Sequence, residues 1–169
     1  MSLKIDVSKI IKDHINTISN ANGGGSTGWD YVSFLITPLI FASGLLMLDL
    51  YFTVEFVNIV VSGLSIFVGL LFNIIVILFD IVKTDKISMD KQDLIKEVVI
   101  NISFCILISL LAIVTSLTTQ LPWGCVFKNS TNFVTYFIIA EFLLTLLMIL
   151  KRMYHIFITE IDGIIKNNK

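Results

Sequence analysis

Four long apolar runs, at about 33–52, 56–81, 98–118 and 133–150, constrain this chain more than anything else in it. Each is close to the ~20 residues an α-helix needs to cross the hydrocarbon of a bilayer. Lipid offers a spanning backbone no water, so each run must be a helix or part of a closed β-barrel. Barrel strands alternate apolar and polar residues, and these runs do not. The chain is 56% hydrophobic and only 15% charged, where soluble domains carry about 45–50% and about 25%. At 169 residues a soluble domain has too much surface for its volume to hide that many apolar side chains. The expected class is all-α, an integral membrane four-helix transmembrane bundle with the lipid bilayer as part of its solvent.

The basic residues orient the spans. Lys4, Lys9 and Lys12 precede the first; Lys83, Lys86, Lys91 and Lys96 lie between the second and third; Lys151, Arg152, Lys166 and Lys169 follow the fourth. Only Lys128 falls on the other side. The positive-inside rule predicts that the N- and C-termini and the central loop are cytoplasmic. An even number of spans requires both ends to share a side, which agrees. Trp29, Tyr31 and Tyr154 then fall at the inner boundary, and Tyr51, Trp123 and Tyr136 near the outer one, where amphipathic rings prefer to sit. The first 28 residues are polar, and the run after them is too long for the core of a cleavable signal peptide.

Three regions follow. Residues 1–28 form a cytoplasmic amphipathic helix, with Val7, Ile10, Ile11, Ile15 and Ile18 at helical spacing, and a Gly-rich hinge, "NANGGGSTG". Such a helix suits the inner leaflet or a partner protein. Residues 29–152 hold the spans, the first two joined as a tight hairpin by "DLYFTVE". Residues 153–169 continue the last helix into the cytoplasm.

Each span carries a stripe of small or polar residues at steps of three and four. They are Ser33, Thr37 and Gly44; Asn58, Ser62, Ser65, Gly69, Asn73 and Asp80; Asn101, Cys105, Ser109, Ala112 and Ser116; and Glu141, Thr145, Met148, Arg152 and His155. Membrane helices pack through such residues, so the stripes are expected to converge on the bundle interior. Glu141 lies about 12 Å into the last span, near mid-membrane. An ionised acid there is costly, so it is expected to be protonated or hydrogen-bonded to Ser65, Ser109 or Thr145. Its roles divide into a helix-stitching acid, a proton or ion relay, and a ring across an oligomer. Glu141, Asn73 and Asn101 are more polar groups than one small bundle satisfies, which predicts a homo-oligomer. Lys151, Arg152 and His155 are candidates for the cytoplasmic interface.

Chemistry is sparse. His14 and His155, the two histidines, lack metal-ligand spacing. "NGGGSTG" has no P-loop lysine, and Cys105 and Cys125 form no CxxC pair. A net charge of −1 gives no electrostatic case for nucleic acid. No catalytic residues, metal or cofactor are expected. The chain reads as a non-enzymatic, self-associating membrane sensor or effector subunit coupled to a cytoplasmic protein partner. The alternative is an ion- or proton-conducting pore or small transporter centred on Glu141.

The layout resembles the small four-span membrane subunits of bacterial anti-phage systems, of the Kiwa type. It shares their length, four spans, cytoplasmic ends and an inner loop, here "KTDKISMDKQDLIKE". The resemblance implies a homo-oligomer in the bacterial plasma (inner) membrane that senses membrane disturbance and works with a soluble effector.

Overall fold

The computed structural model describes residues 7–20, 28–84, 89–122 and 124–167. The Gly-rich hinge, Ser88 of the central loop and Trp123 lie outside the described residues. Among the described residues the fold is all-α, with five helices: α1 (Ser8–Asn20), α2 (Gly28–Met47), α3 (Val54–Thr84), α4 (Met89–Thr118) and α5 (Cys125–Asn167). Three of them contain stretches long and apolar enough to cross a membrane, Val54–Lys83, Gln92–Thr118 and Val126–Ile158. This is a membrane-integral helical protein. The apolar part of α2, Phe34–Met47, is shorter.

α2 stops before the apolar run does. Leu50 N–H donates to Leu45 C=O at 3.2 Å and Asp49 N–H to Leu46 C=O at 3.0 Å, the two bonds of a Schellman cap. Asp49 takes the left-handed conformation (φ 51°) that this cap requires. Thr53 then caps α3, its hydroxyl accepting from Phe56 N–H at 3.2 Å. Phe52 and Val57 share one buried cluster, as a hydrophobic staple across that helix start does.

The short connection does not make α2 and α3 partners. α4 and α5 form the central pair, α3 packs on α4, and α2 packs on α5. The reason lies in the seams. α4 buries Ile95, Val98, Ile102, Cys105, Ser109, Ala112 and Ser116, alternate steps of three and four that keep one face toward a neighbour. α5 answers with Phe142, Thr145, Ile149, Arg152 and Ile156 at the same steps, and α3 with Leu64, Leu71 and Leu78. Small residues on α4 let its backbone approach α5 closely. The Cys105 thiol lies 4.0 Å from Phe142 C=O.

The end opposite α1 is strapped by side chains. Phe52 N–H donates to Asn132 Oδ1 at 3.2 Å, Gln120 Nε2 to Phe52 C=O at 3.2 Å, and Tyr136 Oη to Leu50 C=O at 3.3 Å. Three backbone groups of the α2–α3 turn, Phe52 N–H, Phe52 C=O and Leu50 C=O, are thereby paired.

The stripes do not all converge. That of α4 is buried, and that of α5 is partly so, with Thr145 and Arg152 inside, Glu141 and Met148 half-buried and His155 exposed. That of α3 turns outward: Asn58, Ser62, Ser65, Gly69, Asn73 and Asp80 are all exposed. Its leucine seam sits on the opposite side of the helix and takes the packing instead.

Candidate functional site

The site begins with Asn101, fully buried on α4. A buried amide costs about 1–3 kcal/mol when left unpaired, and no neighbour on α3 or α5 pairs it. α1 supplies the partners. His14 and Thr17, three residues apart and so on one face of α1, reach it together. His14 Nδ1 lies 2.8 Å from Asn101 Oδ1, and the Thr17 hydroxyl lies 2.7 Å from the same oxygen. That hydroxyl is also 2.7 Å from His14 C=O. It has one hydrogen to give, so it serves one of these acceptors at a time.

Aromatic rings hold His14 in place. It stacks on Phe104, one helical turn along α4 from Asn101, with centroids 3.7 Å apart and planes 9° apart. Phe34 of α2 meets it edge-on at 6.1 Å. Burial pushes the ring's pKa below its ordinary 6.5; the hydrogen bond to Asn101 opposes this and the Arg152 charge adds to it. The docked ring therefore favours its neutral form.

Arg152 closes the seam. Its Nη2 donates to Thr17 C=O at 2.7 Å, and its Nη1 lies 3.2 Å from Glu97 Oε2. Thr17 sits in the last turn of α1, where carbonyls lack partners within the helix. A cation there also meets the negative end of the helix dipole. Nη1 has the charge of Glu97 beside it but no hydrogen bond, and Asn101 Nδ2 has none either. The seam therefore retains two buried donors that a rearrangement could satisfy.

Two cavities flank α1. A cleft of about 550 Å³ on its polar side is lined by Lys9, Asp13, Asp93, Lys96 and Glu97. On its apolar side a cavity of about 320 Å³ is lined by Ile11, Ile15, Phe34, Phe104, His14 and Glu141. Glu141 thus faces α1. Among the described residues no hydrogen bond reaches its carboxylate. The hydroxyls expected to serve it do other things. Ser65 is exposed on α3 and donates to Val61 C=O, Ser109 is buried and donates to Ile106 C=O, and the Thr145 hydroxyl is buried without a partner.

The structure thus gathers Asn101 and Arg152 with three residues the sequence did not mark as a site: His14, Thr17 and Glu97. It leaves Asn73, Lys151 and His155 exposed. One signal was available: His14 interrupts the apolar stripe of Ile11, Ile15 and Ile18. Among the described residues no group of three or more His, Cys, Asp or Glu side chains is placed to hold a metal. No protein-family model, curated protein or solved structure matches the chain.

Proposed function

We propose that the chain is a non-enzymatic membrane sensor subunit in which α1 is the moving part. Four spans cross the membrane in this reading. The 20 residues of α2 are about 30 Å long, which matches the hydrocarbon thickness. The termini and the α3–α4 connection are cytoplasmic, so α1 lies along the inner leaflet.

The observation that carries the reading is the way α1 is held. His14 and Thr17 tie it to Asn101 and Arg152, while Val7, Ile11 and Ile15 stay 39–45% exposed. A helix of this kind divides its apolar face between the protein and the interface. Loosened lipid packing favours deeper insertion of Val7, Ile11 and Ile15, and insertion pulls against the seam. Release frees Arg152 and Glu97 for a cytoplasmic protein. The layout shared with anti-phage membrane subunits fits a soluble effector as that protein, with membrane damage during infection as the trigger.

The test is a thiol pair, Thr17→Cys with Asn101→Cys, in a Cys125→Ser background. Oxidation should join the two in tightly packed liposomes, and the yield should fall as packing defects are introduced. An equal yield in every lipid composition would sink the sensor reading.

A pore is the second reading, favoured by one observation: Glu141 faces a cavity and, among the described residues, accepts no hydrogen bond. Glu141→Gln keeps size and most hydrogen bonding but releases no proton, and Glu141→Leu removes the polar group. A structural acid tolerates Gln, and the protein stays assembled and competent. A relay loses proton or cation flux in liposomes with Gln while remaining folded. Flux from the native chain that Gln abolishes would replace the sensor reading with the pore.

A further inference from the structure

The outward stripe of α3 is polar surface in the wrong solvent. Asn58, Ser62, Ser65, Gly69 and Asn73 are exposed, and at 100° per residue they fall on a line roughly opposite Leu64, Leu71 and Leu78. The helix carries them through a stretch of spanning length and apolarity, so what they are exposed to is lipid. Large apolar side chains, Ile59, Ile66, Leu70 and Phe72, flank the line and are exposed as well. Among the described residues neither Asn58 nor Asn73 has a hydrogen-bond partner for its amide.

Hydrocarbon satisfies neither the donors nor the acceptor of an amide, and among the described residues no helix of the same chain covers that side. We infer that the α3 stripe is the contact between two copies of this chain, paired about a two-fold axis along the membrane normal. All copies enter the membrane in one orientation, so such an axis sets every residue opposite its own twin at the same depth. The stripe is suited to that. An asparagine amide both donates and accepts, and therefore complements itself. Ser65 and Gly69, four apart, are small enough for two backbones to approach. Asn58, Gly69 and Asp80 are spaced by elevens, a repeat that keeps the line nearly straight along the helix and favours a right-handed crossing. A Cβ on Gly69 would meet nothing within 4 Å inside the chain. The fold itself therefore does not require glycine there, whereas a close twin does.

The inference rests on α3 crossing the membrane and not on any motion of α1, so it can fail while the sensor reading stands. Single cysteines at Gly69 and at Leu147, a 61%-exposed residue of α5, are compared in a Cys125→Ser background, where Cys105 stays buried. Oxidation in the membranes of expressing cells should join Gly69→Cys to its twin and leave Leu147→Cys single. In mild detergent, Asn73→Leu and Gly69→Leu should each weaken the dimer about three- to twentyfold, with helicity and thermal unfolding unchanged. Equal cross-linking at both positions, capture of a different protein by Gly69→Cys, or a monomeric mass for the native chain at every concentration would overturn it.

Discussion

Arg152 behaves unlike the membrane-boundary anchor its neighbours suggest. In sequence it stands with Lys151 and Tyr154, and both of these are exposed. Arg152 alone falls in the buried register of α5, where it is 9% exposed and spends its guanidinium on Thr17 and Glu97. His14, held by Asn101 in the same seam, makes docking sensitive to pH. The docked ring has a pKa below 6.5 and the released ring returns to it. Between those values the released state binds more protons, so docking is at full strength above pH 6.5 and weakens as pH falls. Of the charges around the ring, Arg152 of α5 repels the imidazolium, and Glu97 of α4 is paired with Arg152. The carboxylate of Glu141 lines the same cavity as the ring, and α2 presents Phe34. A spin label at the exposed position Lys12 should therefore gain mobility on acidification from about pH 7.5 to about pH 5. His14→Gln keeps a hydrogen-bonding group but cannot titrate, and should abolish the change. A response that survives in His14→Gln would assign the titration elsewhere.

At the scale of elements, hydropathy located the helices and left their partners open. The first run read straight through residues 48–52 because Leu48, Leu50, Tyr51 and Phe52 keep it apolar. The turn is made by Asp49, a residue that adopts a left-handed conformation less readily than glycine. α1 shows the same limit. Its apolar face announced a surface to be covered, but a periodicity does not say by what. One edge of it, with His14, Thr17 and Ile18, is buried against its own bundle, selected by an amide 87 residues away from His14, while Val7, Ile11 and Ile15 stay exposed. For α3 the sequence offered two faces, leucines every seventh residue and a polar line, and a rule that points polar lines inward. The leucines won because they complete the buried apolar cluster that α4 and α5 form. The candidate site was legible only in part: Asn101, Arg152 and Glu141 stood out as polar groups in apolar runs. Thr17 and Glu97 lie among polar neighbours and gave no such contrast.

For the whole molecule, α5 acts as a ruler. Lys128 lies over the Tyr51 ring, 5.7 Å from its centroid, at one end of the bundle, and Arg152 is held in the α1 seam at the other. They are 24 residues apart, or about 36 Å along a helix. That spans a hydrocarbon core of about 30 Å with a margin for the headgroups. Glu141 stands 13 residues from one and 11 from the other. The positive-inside rule predicts that the Arg152 end of the bundle is the cytoplasmic one. Single cysteines at Ser130, beside Lys128, and at Ser88, in the α3–α4 connection, read this out in a Cys125→Ser background. In intact cells an impermeant thiol reagent should label Ser130→Cys and spare Ser88→Cys, and permeabilisation should expose the second. Labelling of Ser88→Cys before permeabilisation would reverse the orientation and put α1 on the outer face. Labelling of both would mean that α4, the one helix between the two sites, does not separate them, and the alternation of loops on which the orientation rests would fall with it.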